Sequence, residues 1–315
     1  MNHGKPYFFK YVTMEGLQNI TSNLSRKWSC PLAFNDPFDA QFDLGFPFTF
    51  EAFAPAFLDE QEKMVFDDQE PSCDPSHPLF RLMMLTRQTR HQRSREEFRQ
   101  FFRSVEVQAI PNLKKAQEIA SQTWTDYIER LRILCLTETH DDLLMWAHYA
   151  NHHTGAVVRL GCVRERDSVL LAAIPVKYSD RAPYIGTLEE WIRHLTGQKQ
   201  LDYDGLFQKL VTTKSTHWAY EKEWRVINLR QSEEDGLHMY NSFLPEEIEA
   251  VYFGCRATNP DIENIVQKMH PDLSHVEFLK ARKKKWEYGL EFERIETGYA
   301  TRVSTHTVSN GAAAI

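Results

Sequence analysis

The sequence predicts an α+β protein with a mixed, mostly antiparallel central sheet and a largely helical insert. Three observations lead there. Short β-branched and aromatic runs lie at the start of the chain and through its second half. Helical periodicity clusters in the middle. Strands and helices do not alternate regularly, and neither a Gly-x-Gly-x-x-Gly nor a Walker-type loop occurs, which argues against a doubly wound nucleotide fold. The chain reads as one domain over 1–300, with the insert at about 46–130. A small polar, flexible tail follows at 301–315.

The elements follow in order. Tyr7–Val12 is a first strand. Residues 14–24 form a short helix with Thr13 as N-cap and Glu15 in its first turn. A second strand is expected at 28–34, ending in the turn residues Asn35-Asp36-Pro37-Phe38-Asp39. Residues 46–78, rich in Phe, Pro, Asp and Glu, read as irregular or partly helical. An arginine-rich helix is expected at 81–103, and an amphipathic one at 112–131. A strand at 132–136, a compact helix at 141–150 and a strand at 156–160 follow, with Gly155 as the stop between the last two. Further strands are expected at 174–178, 223–229, 238–243, 250–253, 276–279 and 291–295. Helices are expected at 188–194, 203–213 and 260–269, the last capped by Asn259.

Composition narrows the class. The chain has 315 residues, 42% hydrophobic and 26% charged, and can bury a sizeable core. A net charge of -7 argues against coating nucleic acid through the overall field and leaves room for a local basic site. The five cysteines are scattered and form no Cys-x-x-Cys, which suits reduced thiols in a cytoplasm. No apolar run approaches ~18 residues, and the N-terminus lacks signal-peptide features.

The densest segment is Lys214-Ser-Thr-His-Trp-Ala-Tyr-Glu-Lys-Glu-Trp-Arg-Val-Ile227. Glu221 and Glu223 are two apart, and in extended chain they share a face with Arg225. A carboxylate at a strand mouth beside Trp218 and Tyr220 can act as a base or stabilise an oxocarbenium ion. The alternative is a half-buried strand whose glutamates pair with Lys or Arg.

A second segment, Cys135 to Gly155, has a polar turn with Glu138, His140, Asp141 and Asp142, then a helix bearing Trp146, His148 and Tyr149. His148 and His152 have a spacing able to hold a metal, yet the zinc-protease pattern is absent. A packed aromatic helix with capping aspartates explains the same residues. A third set, Lys10 and Tyr11 with Asn35 and Asp36, can orient a ligand's hydroxyls or amide, or simply pin a turn. Arginines from 87 to 103 can contact phosphates. Lys280 to Lys285, followed by Trp286, put basic charge beside an aromatic. A charged loop between strands is the plainer reading of that patch.

In combination these motifs resemble the bacterial domain-of-unknown-function family numbered 2971. The elements are Phe9-Lys10-Tyr11, Asn35-Asp36-Pro37-Phe38-Asp39, Cys135-Leu-Thr-Glu, Met145-Trp-Ala-His-Tyr-Ala150, Tyr178, Lys214, Tyr220-Glu221-x-Glu223-Trp224-Arg225 and Tyr252-Phe253-Gly254-Cys255. A weaker resemblance is to ADP-ribosyltransferase-like folds. That resemblance implies an intracellular enzyme that consumes NAD as substrate, needs no metal, and modifies a nucleic-acid or protein acceptor in phage defence or a toxin system. It implies Glu223, Glu221 and Tyr149 as catalytic residues. It implies Lys10, Tyr11, Asn35, Asp36, Trp146, His148 and Arg225 as NAD-binding residues. The first strand carries neither the Arg nor the His usual in that superfamily. The alternatives are a non-catalytic module sensing a nucleotide, nucleic acid or phage protein, and a metal-dependent nuclease using Asp141, Asp142, His148 and Glu223.

Overall fold

The computed structural model describes residues 3–230 and 236–296, so the tail expected to be flexible lies outside the described residues. These residues divide into two compact units, one from the described residues up to 36, 129–180 and from 214 onward, the other from 37–128 with 181–213.

The first unit carries the main sheet, which is mixed and mostly antiparallel. β1 (Tyr7–Val12) runs antiparallel to β4 (Ala156–Gly161). Next to β4 lies β10 (Ile248–Phe253), then β11 (Glu277–Lys283) and β12 (Leu290–Arg294). The β10–β11 pair is parallel, while β11–β12 is antiparallel. On its other side β1 meets β3 (Leu131–Thr137) at Phe9↔Thr137. β3 touches β2 (Ser25–Ser29) at Ser29↔Ile133 and pairs along its length with β8 (Glu223–Leu229). β9 (His238–Ser242) extends the β2 edge, and the two-residue β5 (Ile174–Pro175) extends β8. β6 (Lys177–Ser179) and β7 (Thr213–Ser215) form a separate ribbon.

The period of two sorts the side chains into two buried clusters. Phe8, Val12, Leu134, Leu136, Val158 and Leu160 face one way, packed with Leu17 and Ile20 of α1 (Met14–Asn23) and Ile262, Ile265 and Val266 of α8 (Asn259–Gln267). Phe9, Tyr11, Val157 and Tyr252 face the other way, packed with Met145 and Trp146 of α5 (Leu143–Tyr149). Burying each such large apolar side chain stabilises the fold by about 1.5–3 kcal/mol.

Two glycines let strand ends approach closely. A Cβ on Gly155 would stand 2.2 Å from the Val12 carbonyl oxygen, and one on Gly254 2.1 Å from the His153 carbonyl oxygen. The bare backbones instead join, Gly254 N–H donating to the Gly155 carbonyl at 2.9 Å.

The second unit is largely helical: α2 (Phe50–Phe66), α3 (Pro78–Gln88), most of α4 (Arg95–Arg130), α6 (Leu188–Leu195) and α7 (Tyr203–Thr212). Leu58, Met64, Val65, Met83, Phe98 and Phe102 form its core. Among the described residues no helix is long and apolar enough to cross a membrane.

Several boundaries differ from the sequence expectation. The second strand begins earlier and stops at Ser29, because Leu24 turns the chain at φ 48° and Pro31 seeds a 3-10 turn over Pro31–Ala33. The arginine-rich helix is two helices. The second starts at a Ser94/Glu97 capping box, in which each side chain accepts from the other's backbone N–H. Thr258, not Asn259, caps α8, accepting from Asp261 N–H. The strand expected at 174–178 is two short pieces, β5 and β6.

Candidate functional site

The site grows from β8 and the turn before it. Residues Thr216–Glu221 form a 3-10 helix started by Ser215, whose hydroxyl accepts from His217 N–H. Lys222 takes φ 45° and turns the chain into β8. Glu223 then opposes Thr137 and Arg225 opposes Cys135 on β3. Two backbone anchors hold the turn. Thr137 Oγ1 donates to the Glu221 carbonyl at 2.6 Å, and Glu223 N–H donates to Tyr178 Oη at 2.8 Å.

The side chains converge on Lys214. Its Nζ donates to Glu221 Oε2 at 2.5 Å and to Glu223 Oε2 at 3.0 Å. Arg225 grips Glu223 with two bonds, Nε to Oε1 at 2.8 Å and Nη2 to Oε2 at 3.1 Å. Tyr149 Oη donates to Glu221 Oε1 at 2.6 Å, and exposed Asn35 donates to that phenol at 3.4 Å. The side chains of Lys214, Glu221, Glu223 and Arg225 are 6%, 4%, 5% and 0% exposed. Two cations therefore face two carboxylates out of water, where such charges are tolerated only when paired and hydrogen-bonded. Phe34 covers the Arg225 guanidinium at 5.5 Å, and Trp218 covers the Lys214 ammonium at 5.1 Å.

The two carboxylates are pushed apart in acidity. Burial pushes Glu223 up, but Arg225 and then Lys214 outweigh it and hold it down to about 2. Burial raises Glu221, Lys214 only partly offsets this, and the Glu223 charge raises it further. Burial, then the Glu221 charge, raises the Tyr149 phenol. The result is one carboxylate held ionised beside one whose proton affinity is raised.

The sequence-read residues divide accordingly. Glu221, Glu223, Arg225, Tyr149 and Asn35 are linked in one chain of contacts. Lys10, on β1, donates from Nζ to the Cys135 carbonyl of β3 at 3.1 Å. Burial lowers its pKa. Tyr11 and Trp146 are core residues, 8% and 0% exposed, with rings crossing at 5.5 Å. They form the buried backing of Tyr149 and Tyr220 instead of open stacking faces. Asp36 is buried, whereas His148 is exposed, edge-on to Trp218 at 6.2 Å.

The His148/His152 pair does not share a helical face. α5 ends at Tyr149, and Asn151, His152 and His153 all take positive φ. Asp142 caps that helix through Met145 N–H, and Asp141 accepts from Thr139. Among the described residues no group of three or more His, Cys, Asp or Glu is placed to hold a metal. Four of the arginines from 87 to 103 are held by the insert's own fold. Arg87 and Arg90 donate to carbonyls of residues 64–68, and Arg95 and Arg99 pair with Glu62, Asp67 and Asp59.

Lys214 and Tyr178 carry more weight than the sequence reading assigned them. Lys214 stands seven and nine residues before its glutamates, and no helix or strand period links those spacings. Its place at the head of the aromatic-acidic segment was the available signal.

The family described as "Protein of unknown function (DUF2971)" matches residues 145–226. That stretch holds Tyr149, Tyr178, Lys214, Glu221, Glu223 and Arg225. The family resemblance read from the sequence is thus shown over this segment. No curated protein and no solved structure matches the chain.

Proposed function

We propose that this chain is a cytoplasmic, NAD-consuming enzyme of ADP-ribosyltransferase type. The observation that carries this reading is the opposite displacement of Glu221 and Glu223 around one shared lysine. Paired carboxylates whose environments push their acidities apart are the usual device for glycosyl transfer. When the nicotinamide–ribose bond breaks, its electron pair leaves with the ring nitrogen, and positive charge develops on the ribose. Glu223, ionised at any working pH, supplies the fixed negative charge that this state requires. Glu221, raised and bonded to Tyr149, takes the proton from the attacking acceptor oxygen. Asn35 is exposed where it meets the Tyr149 phenol, and half-buried Trp218 and Tyr220 offer aromatic surface. Five thiols with no disulfide among them suit a reducing compartment.

The test is nicotinamide release from NAD by purified protein, with water or candidate acceptors. Glu221→Gln and Glu223→Gln are each expected to lower it about 100-fold or more. Equal release by wild type and Glu223→Gln refutes the reading.

A further inference from the structure

The β11–β12 connection is unlike the rest of the surface. It reads Lys284-Lys-Trp-Glu-Tyr-Gly289, closed by Lys284 N–H donating to the Gly289 carbonyl at 3.0 Å. Trp286 is 100% exposed and Tyr288 103%. Trp286 also sits at φ 66°, a left-handed conformation that bulky residues rarely adopt. Two large aromatics held in water, one on a strained backbone, form no part of a core. Outliers of this kind cluster where ligands are gripped.

The charge around them is one-sided. Arg282 is paired with Glu293, and Lys280 is spent on the Gly254 and Ala257 carbonyls. Lys284 reaches Glu287 only at 3.5 Å, and Lys283 and Lys285 have no carboxylate partner among the described residues. Beside the tip opens a cavity of about 490 Å³, lined by His153, Arg256, Lys283, Lys284, Glu287 and Tyr288, among others. Its walls carry three cations against one carboxylate, on a chain whose net charge is -7.

We propose that this tip and cavity bind single-stranded nucleic acid, with bases stacking on Trp286 and Tyr288 and phosphates held by Arg256, Lys283, Lys284 and Lys285. Exposed rings interleaved with cations match the alternation of bases and phosphates along a strand. In a duplex the base faces are already stacked and offer nothing to these rings. An anionic membrane also attracts cations and aromatics, but binding there scales with buried apolar area, and residues 284–289 offer only the two rings. The inference does not depend on the carboxylate chemistry proposed above.

Fluorescence anisotropy with a labelled 12-residue oligo(dT) and oligo(U) tests it. Neutralising about three phosphates gives a log–log salt slope near -2, so affinity is expected to fall about 15-fold between 50 and 200 mM salt. Trp286→Ala is expected to weaken binding about tenfold. Lys283→Glu with Lys285→Glu is expected to abolish it. All three positions are exposed, and circular dichroism checks that each variant keeps its fold. Absence of binding, or binding unchanged in these variants, overturns the proposal. So does equal affinity for a duplex or for polyglutamate-displaceable sites common to any polyanion. Preferential binding to phosphatidylserine vesicles assigns the tip to a membrane surface and likewise overturns it.

Discussion

Replacing Lys214 by Met tests how the buried quartet is held. The ammonium lies 2.5 Å from Glu221 and 3.0 Å from Glu223, and its side chain is 6% exposed. Without it Glu223 keeps both Arg225 bonds, but Glu221 keeps only the Tyr149 phenol. The balance of two cations and two carboxylates becomes one against two. Removing one partner of a buried pair costs about 3–5 kcal/mol. Glu221 bears most of this, so adding Glu221→Gln to Lys214→Met restores one cation against one carboxylate. The double variant is expected to regain about 1–3 kcal/mol over the single. Guanidinium unfolding at pH 7, followed by tryptophan fluorescence, measures both, since Trp218 lies over the Lys214 ammonium. The cost of Lys214→Met alone is also expected to shrink as pH falls, because the raised Glu221 takes up a proton more readily than an ordinary carboxylate. A double variant no more stable than the single would refute charge balance as the lysine's role.

Other outcomes follow from the same geometry. Glu223 is held at about 2 against an ordinary 4.5, so its stabilisation is complete above pH 4.5 and is lost as pH falls toward 2. That limb is worth about 3 kcal/mol and should be missing from an acid-unfolding series on Glu223→Gln. Glu221, being raised, has the opposite sign: its contribution is full below the ordinary carboxylate value and declines as pH rises through the raised one. Glu221→Gln should flatten that decline in the same series. Tyr149→Phe removes the phenol while keeping the ring, and is expected to lower nicotinamide release with little change in the thermal midpoint. A matched loss of stability would show the phenol to be structural. Gly155→Ala forces a Cβ to 2.2 Å from a backbone oxygen and is expected to cost about 2 kcal/mol or more, read as a drop in the unfolding midpoint.

Much of the fold was legible along the chain. β1, β3, β4, β8, β10 and α1, α6 and α7 lie at or within a residue or two of where periodicity and capping put them, because those signals act over a few residues. The arginine-rich segment misled in one respect: composition read as one helix, while Ser94 and Glu97 divided it into two. Glu62, Asp59, Asp67 and backbone carbonyls took up the charges of Arg87, Arg90, Arg95 and Arg99.

The sequence by itself determined that Glu223 and Arg225 would share a strand face, and that Glu221 would sit at the strand mouth among aromatics. The pairing reading of that segment holds: the glutamates pair with Lys214 and Arg225, and the pairing makes them unequal. Only the tertiary structure decided the rest. It brought Tyr149 to Glu221 across 72 residues, made Lys214 the shared cation, and put Tyr11 and Trp146 in the core. The physical reason is that side-chain acidity follows burial and neighbours in space, and neither is encoded in spacing along the chain.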